Sequence, residues 1–250
     1  MIIIKNKSAL QKMATAGQKL SSIFPGLAQV VVAGATTADV DAWIEKKILE
    51  LGMVSRTKGY RGYRHASCIS VNDEVVHGVP RKSAVLSDGD LVKVDVCASW
   101  QKYCADMARC FVVGQTADES VKQLVLVAQQ ALDKGIAQAR VGNRVSDISV
   151  AIQQEVERHG YGVVRDFAGH GIGKSMHEEP EVLNYGELGE GPVLQAGMVI
   201  AIEPMITKGG YEVFVEQDGW TVKTDDGSLA AHVEDTVAIT YEGPKILTRS

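Results

Sequence analysis

Two aspartates sit inside segments that otherwise have the composition of buried strands. They are Asp95 in Leu-Val-Lys-Val-Asp-Val and Asp106 in Tyr-Cys-Ala-Asp-Met-Ala-Arg-Cys-Phe. A hairpin turning at Trp100-Gln101 would set them directly opposite, with Cβ atoms about 5 Å apart, where two like charges destabilise a sheet. A cation held between them reverses that sign. The alternative is a turn placed elsewhere, because Ser99-Trp100-Gln101-Lys102 lacks the Asn-Gly chemistry that fixes register. The same pairing would bring Cys97 across from Cys104, either as reduced buried thiols or as a redox-sensitive pair.

Three further segments carry groups of the same kind. Gly169-His170-Gly171-Ile172-Gly173 sets an imidazole between glycines, where backbone can approach an ion or a substrate closely. Glu203 ends the apolar run Met198–Ile202, and Glu234 stands in His232-Val-Glu-Asp-Thr-Val-Ala-Ile, both places where an unpaired carboxylate is costly. Each has an ordinary reading alone: a structural histidine, or a glutamate paired with Arg or Lys. Together, two aspartates, two glutamates and a histidine match the ligand demand of two divalent cations, whose charge four carboxylates balance. Such an oxygen-rich set with one imidazole suits manganese, iron or cobalt, with zinc also compatible, so the identity stays open.

The elements that must position these residues repeat along the chain. Shifted by 108 positions, Gly34, Asp39, Ile44 and Gly52 fall on Gly142, Asp147, Ile152 and Gly160, each copy reading as a capped helix. The same shift lays Leu86–Asp95 on Leu194–Glu203, a glycine turn leading into a β-branched run that ends in a carboxylate. A shift of 111 relates the helical segments Leu10–Leu20 and Val121–Ala131. The expectation is one α+β domain over residues 1–250, built from two pseudo-symmetric αβ halves at about 8–113 and 117–245 around a central antiparallel sheet. Strands are expected at Leu91–Ala98, Tyr103–Val113, Met198–Met205, Trp220–Thr224 and His232–Thr240.

Bulk properties narrow the function classes. The 250 residues are 45% hydrophobic and 23% charged, as in ordinary globular proteins, and the net charge of −5 offers no excess to neutralise nucleic-acid phosphates. The start Met1-Ile-Ile-Ile-Lys5 lacks the apolar core of a secretory signal, and the longest uncharged stretch, Leu20–Ala38, is broken by Pro25-Gly26 and Gly34. The four cysteines form no C-x-x-C pair. These features point to a cytoplasmic protein with reduced thiols.

The segments Cys68–Pro80, Val94–Val96, Gly169–Pro180, Ile202–Met205 and Asp218–Thr224, with Asp106 and Glu234, resemble the type I methionine aminopeptidases, metallopeptidases of the pita-bread fold. The similarity covers almost the whole chain. It implies that Asp106 and Glu234 bridge two metal ions, that Asp95 completes one, and that His170 and Glu203 complete the other. It implies attack on the first peptide bond by a hydroxide shared between the metals, with Glu203 shuttling the proton to the leaving amine. His177 would steady the developing oxyanion, and His77 would contact the scissile amide nitrogen. Tyr60, Tyr63, Cys68, Met176 and Trp220 occupy the methionine-pocket positions. Implied partners are peptides and nascent chains with N-terminal methionine and a small second residue, met at the ribosome, with no nucleic acid and no membrane. The protein itself is expected to be a monomer.

Only 31 positions separate Glu203 from Glu234, too few for the inserted helical subdomain of type II enzymes, and no N-terminal extension is expected. Departures from the family pattern are Met176 in place of an aromatic, Arg64-His65 in place of a proline-containing segment, and Ala105 and Met107 beside Asp106. The competing readings are a proline dipeptidase of the same fold and a non-catalytic peptide-binding member of it.

Overall fold

The structure is a computed structural model describing residues 1–115 and 118–249; Ala117, where the second half was expected to begin, lies outside them. Helix α1 (Lys7–Ser21) starts at Asn6, whose side chain accepts from the Ala9 amide, and it buries Ala9, Met13, Ala16 and Leu20 at helical spacing. The short α2 (Phe24–Leu27) and α3 (Thr37–Glu50) follow. Next come β1 (Val54–Ser55), a 3-10 turn at Tyr60–Gly62, β2 (Cys68–Val71), β3 (Glu74–Val76) and the long hairpin β4 (Leu91–Trp100) and β5 (Tyr103–Val112). The second half holds α4 (Glu119–Gln138), α5 (Val145–Glu157), β6 (Gly162–Val163), β7 (Gly169–Gly171), β8 (Glu178–Val182), β9 (Val199–Ile202) and β10 (Met205–Thr207). The chain ends with β11 (Val213–Val215), β12 (Val222–Thr224), β13 (Ala230–His232), β14 (Glu234–Thr240) and β15 (Gly243–Ile246).

The main sheet runs β1-β4-β5-β14-β9-β7-β8, with β2 on β4 and β15 on β14, and every pairing in it is antiparallel. Helices cover one face. Val92, Val94, Val96 and Ala98 of β4 pack with Leu20, Val40 and Ile44 in one core cluster. Ile200, Ile202, Val237 and Ile239 pack with residues of α4 and α5 in another. Side chains alternate along a strand, so the intervening residues Asp95, Asp106, Glu203 and Glu234 turn to the uncovered face.

Several contacts recur at a spacing of 108 positions. Bridges Thr36–Val85 and Arg144–Val193 are related by 108 positions. So are the hydrogen bonds from Gly34 N–H to the Leu86 carbonyl (2.8 Å) and from Gly142 N–H to the Leu194 carbonyl (3.0 Å). Asp39 and Asp147 each cap their helix by accepting from the backbone amide three residues earlier. Gly89 and Gly197, which turn into β4 and β9, have φ of 90° and 92°, a backbone region that favours glycine.

The hairpin differs from expectation by one residue. Trp100 pairs with Tyr103, so Gln101-Lys102 form the turn, with φ of 48° and 71°. Two left-handed residues give the turn whose twist matches the flanking strands, here without the usual Asn-Gly pair. Asp95 therefore opposes Ala108 and Asp106 opposes Cys97. The two aspartates remain diagonal neighbours on one face. Cys104 likewise opposes Ser99 rather than Cys97, and all four cysteines are free thiols.

Two expected strands are each split. Met198–Met205 breaks at Glu203-Pro204, where proline has no amide for the ladder, and His232–Thr240 breaks at Val233. The strand expected from Trp220 begins only at Val222, because Trp220 and Thr221 donate their amides to the Asp218 carboxylate instead. Among the described residues, no helix is long and apolar enough to cross a membrane.

Candidate metal centre

Asp106 is fixed by an unusual stitch between β5 and β14. Their backbone pairing stops at Asp235 opposite Met107, and the Thr236 hydroxyl takes over. It accepts from the Asp106 amide at 2.9 Å and donates to the Asp106 carbonyl at 2.8 Å. Glu234 is held from the helix-covered face. Arg109 donates to the Glu234 carbonyl and to the Asp235 carboxylate, both at 2.6 Å, and Arg249 and Thr248 also donate to Asp235.

His170 lies on β7 between two glycines, but these make room for backbone and not for an ion. A Cβ on Gly169 would strike the Ala201 carbonyl, and one on Gly171 would strike the Glu179 carbonyl. The expected role of these glycines is corrected accordingly: they let β7 lie tightly between its neighbours. The His170 Nδ1 is 2.9 Å from the Gly171 carbonyl, so it carries the proton there and presents the Nε2 lone pair to the site. That Nε2 is 3.5 Å from Oε1 of Glu203.

The donor atoms of Asp106, His170 and Glu234 all lie within 4.8 Å of one another, as do those of Glu203, His232 and Glu234. Asp106 and Glu234 are buried, and Oε1 of Glu234 has no hydrogen-bond partner among the described residues. Burial and the neighbouring Glu203 push Asp106 up to about 7, and burial pushes Glu203 up to about 8. Asp95 and Glu234 are raised well above the carboxylate range by burial and by the Asp106 charge. Four carboxylates so crowded are unfavourable as anions without a cation, and they fit divalent ions.

A cavity of about 270 Å³ opens over this cluster. Asp95, Asp106, His170, Glu203 and Glu234 form its floor, and His77, His177, Tyr60, Tyr63, Cys68, Met176 and Trp220 also line it. All twelve residues singled out in the sequence thus meet in one space. Asp41 places one wall by accepting from the Ala66 and Ser67 amides just before Cys68, and His65 joins the same carboxylate at 3.1 Å. Tyr63 and Trp220 meet edge to face, with centroids 5.0 Å apart. Of the departures, Ala105 and Met107 pack on the helix-covered face, whereas Met176 lines the cavity.

His77 takes a left-handed backbone (φ 59°), and its ring packs edge-on against Phe167 at 5.3 Å. The Ser70 hydroxyl accepts from the Gly78 amide, and the Thr221 hydroxyl accepts from the Val79 amide, which pins the turn. Burial pushes His77 down to about 4 and His170 to about 3, so both are neutral at pH 7. His177 stands at the rim, its Nδ1 3.0 Å from the Tyr60 hydroxyl and its ring 4.3 Å from that of His170.

His232, buried in the second donor group, and the wall residue Phe167 were not anticipated, whereas Cys97, expected beside the metals, does line the cavity. The pattern His232-x-Glu234 held a signal, since residues two apart on an extended chain share a face.

An antiparallel sheet carrying two aspartates, two glutamates and a histidine beneath a lined cavity defines a candidate metallohydrolase. The sequence profile of metallopeptidase family M24 matches residues 11–241, and the chain belongs to that family. It is 48% identical over 248 residues to a methionine aminopeptidase of Clostridium acetobutylicum, covering 99% of each chain. Its fold matches the crystal structure of a methionine aminopeptidase from Thermotoga maritima with a TM-score of 0.97, at 44% identity and full coverage of both. A prolidase from Pyrococcus furiosus shares the fold with a TM-score of 0.79 at 24% identity, the match covering 99% of this chain and 66% of that one.

Proposed function

We propose that this chain is a methionine aminopeptidase that hydrolyses the first peptide bond of chains beginning with methionine, using two divalent metal ions. The observation that carries the reading is the convergence of Asp95, Asp106, His170, Glu203 and Glu234 beneath a single cavity walled by Tyr63, Cys68, Met176 and Trp220. Asp106 and Glu234, at the centre of the donor groups, would be shared between the ions, with Asp95 on one side and His170 and Glu203 on the other. Such ions, when bound, lower the pKa of water and polarise a carbonyl oxygen.

The residues supply the rest. Glu203 accepts a proton from the attacking water and delivers it to the departing amine, a role suited to a carboxylate lining the cavity beside the metal site. His177, oriented by Tyr60, donates to the oxygen on which negative charge develops. His77 faces the scissile amide nitrogen. The apolar wall takes the methionine side chain and excludes water, and by likeness to the family a small second residue is preferred. Metal-loaded protein is expected to cleave Met-Ala-Ser and not Leu-Ala-Ser, with activity lost in Glu203→Gln. Equal rates on the two peptides, or faster cleavage of X-Pro dipeptides, would count against the assignment.

A further inference from the structure

His232 is the buried polar group that this scheme leaves unused. It ends β13 opposite Met205 of β10 and is 1% exposed. Neither ring nitrogen has a hydrogen-bond partner among the described residues. Leaving a buried imidazole unpaired is costly, so its place calls for a partner that comes into reach when the site is loaded. An acceptor close to it is Glu203, whose Oε2 lies 3.5 Å from His232 Nε2, while its Oε1 lies 3.5 Å from His170 Nε2. Glu203 is therefore bracketed by two imidazoles, one at each oxygen.

The two rings are not equivalent. His170 has its proton fixed on Nδ1 by the Gly171 carbonyl and offers a lone pair to the cavity. No carbonyl fixes the proton of His232, so Nε2 is free to carry it and donate. His232 is not among the residues lining the cavity, whereas His170 and Glu203 are.

We propose that His232 is a positioning residue that donates its Nε2–H to Oε2 of Glu203 and turns Oε1 toward the metal site beside His170. The proposal rests on Glu203 being a metal ligand and proton carrier. Hydrogen-bonded partners of ligating carboxylates commonly account for about 10–100-fold in metal affinity. The donor atoms of Glu203, His232 and Glu234 lie within 4.8 Å of one another, so direct ligation is the competing geometry.

The test compares metal-free wild type, His232→Leu and His232→Gln by calorimetric titration with Mn²⁺, together with ¹⁴N ENDOR of the Mn²⁺-loaded proteins. Wild type is expected to show one imidazole coupling, that of His170. His232→Leu should bind the same number of ions about 10–100-fold more weakly. His232→Gln keeps an N–H donor and should stay within about threefold of wild type. Unchanged affinity in His232→Leu, or a loss above tenfold in His232→Gln, overturns the proposal. A second imidazole coupling in wild type also overturns it, whether or not His232→Leu folds, because it would make His232 a ligand. Wild-type protein that binds no Mn²⁺ and leaves Met-Ala-Ser intact would instead refute the metallopeptidase reading, and the His232 role with it.

Discussion

Removing the metal should make the protein's stability fall as pH rises from about 6.5 to 8. In the metal-free fold, Asp106 is pushed up to about 7 and Glu203 to about 8, from ordinary values of 3.8 and 4.5. The sign follows from proton counts. Within this window the unfolded chain has both groups ionised, while the folded chain still holds protons on them. The folded state therefore binds more protons, and stability is lost as these two groups ionise. Lys93, pushed down to about 8 by burial, binds fewer protons when folded and offsets part of the loss. The buried histidines His77, His170 and His232, depressed to about 3–4, are neutral in the fold, whereas the unfolded chain still protonates them near pH 6.5, so they offset a further part of the loss at the lower end of the window.

Integrating all of these groups gives a net loss of about 1 kcal/mol between pH 6.5 and 8. For a chain of this length that corresponds to a fall in Tm of roughly 2–4 °C. Bound divalent ions compensate the carboxylates and should flatten the dependence. The assay is thermal unfolding followed by circular dichroism, on chelator-stripped and on Mn²⁺-loaded protein across the range. A metal-free Tm that is flat or rises with pH would refute the argument that these carboxylates are crowded without a cation.

Two substitutions test how the site is built. Tyr60→Phe keeps the cavity wall but removes the hydroxyl 3.0 Å from His177 Nδ1; kcat on Met-Ala-Ser should fall about fivefold, the kinetic equivalent of about 1 kcal/mol, with little change in KM. An unchanged kcat would mean that His177 needs no such orientation. Gly171→Ala pushes a methyl group into the Glu179 carbonyl and should destabilise the fold by about 1–3 kcal/mol, with weakened metal binding through displaced His170. Calorimetry showing wild-type Tm and Mn²⁺ affinity would refute the packing role assigned to that glycine.

Much of the architecture was legible because the same local signals occur twice along the chain. The glycine turns into β4 and β9 and the aspartate caps of α3 and α5 are local chemistry, and the structure repeats it at the expected spacing. The carboxylates stood out because a charge inside a β-branched run requires a partner. The register of the β4–β5 hairpin was missed by one residue, since Gln101 and Lys102 take left-handed backbone that their residue types do not advertise. The face shared by Asp95 and Asp106 survived because moving the turn by one residue slides the pairing by two. Tertiary arrangement was harder to read. That Gly169 and Gly171 make way for the Ala201 and Glu179 carbonyls depends on strands adjacent only in space. His232 is a mixed case: its spacing from Glu234 points toward the site, but that Glu203 lies beside it depends on strands adjacent only in space.

The most direct measurement is anomalous diffraction from crystals of the Mn²⁺-loaded protein. Two manganese peaks should lie at the floor of the cavity, with Asp106 and Glu234 shared between them, Asp95 on one, and His170 with Glu203 on the other. A peak elsewhere, or none within reach of these five side chains, would contradict the account.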